Sequence, residues 1–198
     1  MGPWIARGRN GHCKVAASAQ LLDRLVLTVY VEPMLQLRAA AETDYPLLFR
    51  WYGDAQLPHL WNFHRQILSF RDFLRQLYQI MDSEQLRLLW ESPGSVPIGY
   101  CQSYDVNIPS GWSYLALYLT PAHRGPTTTI DSVKLAVGMT FDSYPIVEKV
   151  YVESYDFSPH IDAALREFGF VEEGSIPQHY WFRDEFWTLH RLAFYKEG

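Results

Sequence analysis

Cysteine is scarce in this chain and occurs only at Cys13 and Cys101. The two residues form neither a CxxC pair nor a disulfide framework, which is typical of proteins kept in a reducing compartment. Cys101 lies within an apolar strand pattern, so we expect a buried thiol there, with a catalytic cysteine as the alternative. The N-terminus has no clear apolar segment after its charges, so no signal peptide is indicated. Together these features predict a cytoplasmic protein.

Long apolar runs and an excess of positive charge are also missing. No apolar run approaches the roughly 20 residues that a membrane-spanning helix needs. The formal net charge of −5 argues against nucleic acid as a main partner, whereas an acidic surface suits a cationic substrate such as an amine. No set of His and Cys residues has metal-ligand spacing, so we predict no metal site. The 198 residues, 48% of them hydrophobic, are enough for one domain with a substantial core.

Residues 1–33 differ in charge from the rest of the chain. They carry four basic and two acidic residues, and the first 22 residues contain no acid. A clear strand pattern begins directly afterwards, at Met34. We therefore predict an N-terminal extension over 1–33, either flexible or the product of an over-extended reading frame, followed by a domain over 34–198. Residues 25–31 could instead pair as an additional strand.

From Met34 onward the apolar pattern switches repeatedly between a period of two and helical spacing. Thr43 offers a helix N-cap, Ser69–Asp72 reads as a capping box, and Ser158 precedes a helix that ends at the Gly169 turn. The pattern predicts an α/β domain whose central strands are flanked by helices. The predicted strands are 35–39, 85–91, 97–106, 112–120, 148–155, 170–182 and 186–196, and the longer helices are 69–81, 128–142 and 158–169.

The turn with the sequence PAHRGPTTTIDSV, residues 121–133, stands between an alternating apolar strand and a helical pattern. A strand, a turn containing Arg-Gly and a helix is a common phosphate-binding arrangement, because the helix N-terminus presents free N–H groups and a partial positive charge. Such turns usually carry two or three glycines, and this one has only Gly125. Alternatively, Thr128 and Asp131 form a capping box through which the helix satisfies its own donors.

Three segments carry a resemblance to a known family: ALYLTPAHRG, YVESYDFSPHIDAALREFGF and VEEGSIPQHYWFRDEFW. With the order of elements, they resemble the GNAT superfamily of acyl-CoA-dependent N-acyltransferases, from about Met34 to Lys196. The closing GFVEEG and its aromatic hairpin are similar to the ribosomal-protein alanine N-acetyltransferase type, and HRGPTT resembles siderophore-biosynthesis acyltransferases. The resemblance implies an α/β (α+β) fold with a mixed, mostly antiparallel sheet splayed in its middle and about four flanking helices.

The resemblance also implies acetyl-CoA as a co-substrate lying in the splay of the sheet. In the family the fourth strand offers backbone groups to the pantetheine arm, and the following turn surrounds the pyrophosphate with backbone amides. Thr127 and Thr129 stand where the family has small residues, so this turn departs from the family pattern. The corresponding cofactor-binding positions are Leu117, Leu119, Arg124, Gly125, Thr127, Thr128 and Thr129.

Transfer of an acyl group to an amine needs a base for the ammonium proton and an acid for the leaving thiolate. The family's usual Tyr acid, its Asn and its Glu base correspond here to Leu165, Ser158 and Tyr114. All three positions therefore differ from the family pattern. Leu165 cannot donate a proton, whereas Ser158 and Tyr114 stay candidates for the active site; as alternatives, Ser158 is an N-cap and Tyr114 is core or pocket wall.

Glu153 and Tyr155 share one face of the strand over 148–155 because strand side chains alternate with a period of two. If that face points into the splay, Glu153 is the predicted base and Tyr155 the predicted acid. A solvated Glu beside packed tyrosines is the alternative. His160, at the first turn of the next helix, is a further candidate, because the helix dipole would lower its pKa.

Aromatic residues and histidines predict where an acceptor would bind. Trp61 and His64 lie in a loop that often walls the acceptor site in the family, and His179 and Trp181 lie on the penultimate strand. The predicted function is N-acetylation of a primary amine, on a small molecule or a peptide N-terminus, by a monomer or homodimer. The alternatives are a catalytically impaired CoA-binding or regulatory module and a siderophore-type hydroxylamine acyltransferase.

Overall fold

A computed structural model describes residues 34–53, 68–83, 85–92 and 96–196 of the chain. In these ranges seven strands alternate with four α-helices. The predicted boundary at residue 33 stays a prediction, and the possible strand over 25–31 lies outside the described residues. The elements are β1 Met34–Ala39, α1 Tyr45–Tyr52, α2 Phe70–Ser83, β2 Gln85–Ser92, β3 Pro97–Asn107, β4 Trp112–Leu119, α3 Pro126–Ser143, β5 Lys149–Tyr155, α4 Pro159–Phe168, β6 Val171–Phe182 and β7 Glu185–Tyr195.

The described strands form one sheet in the order β1-β2-β3-β4-β5-β7-β6. Every neighbouring pair is antiparallel except β4 and β5, which are parallel. The mixed, mostly antiparallel sheet expected from the sequence is therefore confirmed. Strand β7 lies between β5 and β6, so the last hairpin folds back onto β5 through its second strand.

The sheet opens between β4 and β5. The two strands pair only from Trp112 to Tyr114, opposite 149–151. Thr120 N donates to Ile98 O at 2.9 Å, so the even-numbered residues of β4 bond to β3 and the odd-numbered ones turn their backbone groups the other way. Beyond Tyr114, these outward backbone groups of β4 have no strand partner in the described part of the chain. The splay in the middle of the sheet is thus confirmed.

Two helical layers cover the sheet, one on each face. Helices α1 and α2 pack on one face around Leu48, Phe73 and Leu77, against Tyr100 and Tyr118 of the strands. Helices α3 and α4 pack on the other face, against a second core group that contains the odd-numbered leucines of β4. The two faces of β3 and β4 follow the period of two that the sequence shows. Among the helices that the structure describes, none combines the length and apolar character required to cross a lipid bilayer.

The predicted helix starts have mixed outcomes. Ser69 does cap α2: its Oγ donates to Asp72 Oδ2 at 2.7 Å and accepts from Asp72 N at 3.2 Å. The N-cap predicted at Thr43 is wrong, because Thr43 lies inside a 3₁₀ turn and Asp44 precedes α1. The Asp44 carboxylate is instead fixed by Arg38, at 2.6 and 2.8 Å, which draws the turn onto β1.

Cys101 lies in the core of the sheet and is fully buried. Burial raises the pKa of its thiol to about 12, so the sulfur stays protonated near neutral pH and is a poor nucleophile. Its Sγ lies 3.8 Å from the sulfur of Met139 on α3. The prediction of a buried structural thiol is confirmed.

Candidate active site

A cavity of about 240 Å³ occupies the opening between β4 and β5. Leu115, Ala116 and Leu117 line it from β4, and helices from both layers close it, α1 and α2 on one side and α3 and α4 on the other. The cavity therefore passes through the sheet at the splay. A ligand that enters from one helical layer can meet a second ligand that enters from the other.

Glu153 and Tyr155 both line this cavity. Val152, on the other face of β5, lines it as well, so both faces of the strand border the splay. The catalytic roles of Glu153 and Tyr155 stay predictions. The Glu153 side chain is 24% exposed, and Arg191 Nη2 donates to its Oε1 at 3.1 Å. Arg191 lies directly opposite Glu153 in the pairing of β5 with β7. The ion pair fixes the carboxylate at the edge of the cavity.

Tyr155 is almost completely buried, with 4% of its surface exposed. Its ring stacks on Phe157 at 5.2 Å between centroids and 9° between planes, and it also contacts His179 at 6.2 Å and Tyr180 at 5.5 Å. Burial raises the pKa of its hydroxyl well above the usual value, with smaller contributions from Glu153 and Tyr180. The hydroxyl stays protonated at neutral pH and can serve as a proton donor.

The other residues considered for catalysis take different places. Tyr114 stacks with Tyr104 at 5.5 Å and Tyr151 at 5.3 Å, and Arg191 lies 5.7 Å from its ring centre. It therefore supports the guanidinium that holds the carboxylate and is not among the residues that line the cavity. Ser158 is the N-cap of α4 by position, but its side chain makes no capping hydrogen bond.

Leu165, where the resemblance implies a proton-donating Tyr, has 1% of its surface exposed and lines the cavity wall. An aliphatic side chain at this position supplies contact area and no proton. Any acid function in the cavity must therefore come from another residue, and Tyr155 and Tyr52 are buried tyrosines that line it.

Helix α3 begins two residues earlier than the sequence pattern predicts. Gly125 is its N-cap, with φ −70° and ψ 153°, and no side chain caps the helix. Pro126 is pre-organised for the first helical position, which moves the start forward. The alternative capping box of Thr128 and Asp131 is therefore wrong. The amides of Thr127 and Thr128 lie in the uncapped first turn, whose partial positive charge favours an anion.

The threonines of this turn differ in their bonding. Thr129 is buried, and its Oγ1 donates to Gly125 O at 2.8 Å, so its hydroxyl is used within the helix. Thr127 is exposed. A Cβ placed on Gly125 would meet no atom within 4 Å, so the outer side of the turn is open. The turn can approach an anion through backbone amides even though it carries a single glycine.

Arg124 closes the turn, since its Nε donates to Leu119 O at 3.0 Å. The charge of Arg124 also acts on His160, at the start of α4: burial first, and then Arg124, lower the pKa of that imidazole. The direction is the one expected from the sequence, but burial and Arg124 cause it. A cationic side chain and an uncapped helix start therefore lie together at the end of β4.

The predicted acceptor-binding residues are only partly within the described chain. Trp61 and His64 lie outside the described residues. His179 is exposed beside Tyr155, and Trp181 is 47% exposed and packs on Phe186 at 4.8 Å. Their roles stay predictions. In the described part of the chain, no group of three His, Cys, Asp or Glu side chains is arranged to hold a metal.

Three residues of the site were missed by the sequence analysis: Gln76 and Gln102, which line the cavity, and Arg191, which holds Glu153. Gln76 follows Phe73 by three positions and therefore shares the inward face of α2. That helical face was visible in the sequence and could have indicated Gln76. No local signal places Arg191 beside Glu153, because their contact depends on the strand order.

Solved structures of spermidine N-acetyltransferase from Vibrio cholerae have a similar fold. One, in complex with CoA and spermine, aligns with a TM-score of 0.70 at 20% identity, covering 81% of this chain and 95% of that chain. A dodecameric form in an intermediate state aligns with a TM-score of 0.69 at 18% identity, covering 81% and 93%. No family model and no curated protein matches the sequence significantly. The likeness establishes the fold, which is the GNAT fold expected from the sequence.

Proposed function

We propose that this chain is an acyl-CoA-dependent N-acyltransferase that moves an acetyl group from acetyl-CoA to a primary amine. The observation that carries the proposal is the opening between β4 and β5, which holds a cavity and ends at the uncapped start of α3. The Vibrio cholerae structures support it, because one holds CoA and spermine in the same fold. A small molecule and a peptide N-terminus both stay possible acceptors.

The residues of the opening fit acetyl-CoA. Leu117 turns its N–H and C=O toward the gap, where an extended chain with its own amides can pair with them. Leu119 turns its N–H the same way, while its carbonyl already accepts from Arg124 Nε. The free amides of Thr127 and Thr128 and the open side of Gly125 suit the diphosphate. Acetyl-CoA, when bound there, supplies a thioester as the acyl donor.

The side chains of the cavity provide the proton transfers that the reaction needs. Glu153 is held by Arg191 through Oε1, so Oε2 is the atom that takes a proton from the acceptor ammonium. Tyr155 keeps its proton at neutral pH because its pKa is raised, and its Oη is the group that gives a proton to the leaving sulfur. The amide of Leu119 faces the gap and is the candidate donor to the acyl oxygen.

A CoA-binding module without catalysis is the second candidate. The observation that favours it is Leu165, an aliphatic side chain at the position where the resemblance implies the acid. In that case the fold would bind CoA through the same backbone groups. The oligomeric state and the cytoplasmic location stay predictions in either case; a Vibrio cholerae relative of the fold was solved as a dodecamer.

Calorimetry and a turnover assay together test the proposal. We expect acetyl-CoA to bind to the full chain with a dissociation constant in the micromolar range, and thiol release to rise with amine concentration over a panel of primary amines. Tyr155→Phe should retain CoA binding and lose turnover. Binding without turnover over the whole panel would favour the binding module. Absence of binding at high micromolar acetyl-CoA would remove both candidates.

A further inference from the structure

The cavity at the splay carries very little charge. Among the described residues that line it, Glu153 is the only one with a charged side chain. The other polar side chains on its wall are neutral, namely glutamines and tyrosines that include Gln76 and Gln102. A cationic ligand in this cavity therefore meets a single anionic group.

The negative charge of Glu153 is already partly compensated by Arg191. Arg191 Nη2 lies 3.1 Å from Glu153 Oε1, so the pair of side chains is close to neutral as a whole. The second oxygen, Oε2, has no hydrogen-bond partner among the described residues and can accept from one ammonium. No further carboxylate among the described lining residues is available for a second ammonium.

The wall formed by α1 and α2 is mostly apolar, with Gln76 as its one amide among the described lining residues. Phe73 and Leu77 are each 1% exposed in the folded chain, and Ile80 and Tyr52 extend the same surface into the cavity. This surface lies on the helical layer opposite α3, whose N-terminus is the proposed diphosphate site. An acceptor that enters from the α1–α2 side therefore passes an apolar wall before its amine reaches Glu153.

We infer that the acceptor is a monoamine with an apolar body, whose ammonium binds Glu153 while the body lies against the α1–α2 wall. The inference rests on the proposed function and makes its substrate class more specific. It also separates this chain from the Vibrio cholerae spermidine N-acetyltransferase, which was solved with the polycation spermine.

The physical reason is the cost of burying an uncompensated charge. A second ammonium in the cavity would lose its hydration against Phe73 and Leu77 and would find no second carboxylate among the described lining residues. Arg191 would repel it as well. An alkyl chain in the same place gains from leaving water. The cavity is therefore expected to bind an amine with an alkyl body more tightly than an amine with a second ammonium group.

Heptylamine and hexamethylenediamine form a matched pair for the test, because they have the same length and differ only in a terminal methyl or ammonium group. Binding of each is measured by calorimetry to the CoA-saturated full chain, and turnover is measured separately by thiol release. We expect heptylamine to bind at least about tenfold more tightly than the diamine and to have the higher kcat/KM. Equal affinity, or tighter binding of the diamine, overturns the inference.

A single isosteric change tests the wall directly. Gln76→Glu places a second carboxylate in the cavity, so we expect it to reduce the preference for heptylamine by at least about fivefold. Gln79→Glu is the matched control: Gln79 is exposed on the same helix and does not line the cavity, so the same charge there should leave the preference within about twofold. An unchanged preference in a folded Gln76→Glu protein contradicts the inference.

The two proposals fail in different ways. If the amines bind with the expected preference but no acetyl transfer occurs, the acceptor class stands and the acyltransferase proposal falls. If acetyl transfer occurs but favours the diamine, the acyltransferase proposal stands and the acceptor class falls. If neither amine binds at millimolar concentration, the acceptor class is refuted whatever the protein does with CoA. Because binding and turnover of the wild type decide these outcomes, misfolding of a variant would leave the test intact.

Discussion

Arg191 on β7 and Glu153 on β5 lie directly opposite each other, and Arg191 Nη2 donates to Glu153 Oε1 at 3.1 Å. The pair joins two strands at the point where the sheet opens. Tyr114 stacks under the guanidinium, with the Arg191 Cζ 5.7 Å from its ring centre. The Arg191 guanidinium thus holds Oε1 of Glu153, and the other carboxylate oxygen, Oε2, is left for a ligand in the cavity.

Glu153→Gln removes the predicted base without changing the shape of the side chain. We expect kcat to fall about 100-fold with any amine that the wild type accepts, while the dissociation constant of acetyl-CoA stays unchanged, because Glu153 is on β5 and is not one of the residues proposed to hold the diphosphate. Thiol release and calorimetry measure the two effects. Glu173→Gln serves as the control, since Glu173 forms its ion pair with Lys149 away from the cavity. A Glu153→Gln protein with wild-type kcat would exclude Glu153 as the base.

Gly125→Asp should raise stability and lower CoA affinity together. The N-cap position has extended backbone angles and open space for a Cβ, so an aspartate there can accept from the free amides of Thr127 and Thr128. We expect a stabilisation of a few tenths of a kcal/mol and a loss of at least about tenfold in affinity for CoA, because the new carboxylate repels the diphosphate. Thermal unfolding measures the change in stability, and calorimetry measures the change in CoA affinity.

Gly125→Ala is the matched control for that variant. Its methyl group fits the same space but neither caps the helix nor carries charge, so CoA affinity should stay close to that of the wild type. If Gly125→Asp binds CoA as tightly as Gly125→Ala does, the diphosphate does not bind at the start of α3.

Replacing Gly99 or Gly138 with alanine should change the free energy of unfolding in opposite directions. A Cβ on Gly99 would lie 2.1 Å from Tyr118 O, a backbone atom of β4, so the two central strands must separate. We expect Gly99→Ala to destabilise the fold by about 2 kcal/mol or more. Gly138 is exposed on α3, and a Cβ added there would meet no atom within 4 Å, so Gly138→Ala should stabilise by about 0.5–1 kcal/mol. Urea unfolding with equal m-values would measure both, and a neutral Gly99→Ala would contradict the tight strand contact.

Cys101 makes the fold sensitive to alkaline pH. The unfolded thiol loses its proton near pH 9, whereas burial raises the folded pKa to about 12. Its contribution to stability is therefore complete below about pH 9 and is lost as the pH rises through about 12. We expect the free energy of unfolding to fall with pH in this window, by up to about 1.4 kcal/mol for each pH unit from this group.

The matched variant for this pH dependence is Cys101→Ala. It should be less stable near neutral pH, because it leaves a small cavity in the core, but its stability should fall less steeply above pH 9. The raised pKa values of tyrosines such as Tyr100 and Tyr104 affect both proteins equally. Identical slopes for the wild type and the variant would show that the thiol does not contribute.

The elements of the fold followed closely from local patterns. A period of two predicted β5 over 148–155, and the strand runs over Lys149–Tyr155. Ser69 and Asp72 correctly predicted the start of α2. Alternation and capping depend on neighbouring residues only, so the sequence contains the information that they need.

The start of α3 was predicted two residues late for a physical reason. The sequence offered both a hydroxyl cap at Thr128 and a proline at 126, and the structure follows the proline. The difference matters for the site, because the hydroxyl cap would have used the donors that now remain free. A competition between two local rules cannot be decided from either rule alone.

The contact of Glu153 with Arg191 could not be predicted from the sequence. The two residues are 38 positions apart, and β7 meets β5 only because it inserts between β5 and β6. Hairpin signals predict that β6 and β7 pair with each other, but they do not indicate which of the two lies inside. The cavity wall from α2 likewise depends on the packing of distant elements.

The backbone groups of β4 that have no strand partner in the described part of the chain lie in the interior of the sheet, between two strands and beneath two helical layers. Exposed β edges usually invite pairing with strands of other proteins and so promote aggregation. Here strand β5 and the helices of both layers leave too little space for a strand of another protein to pair with β4. The unpaired side of β4 can therefore still form backbone hydrogen bonds, but only with a ligand narrow enough to enter between the two helical layers.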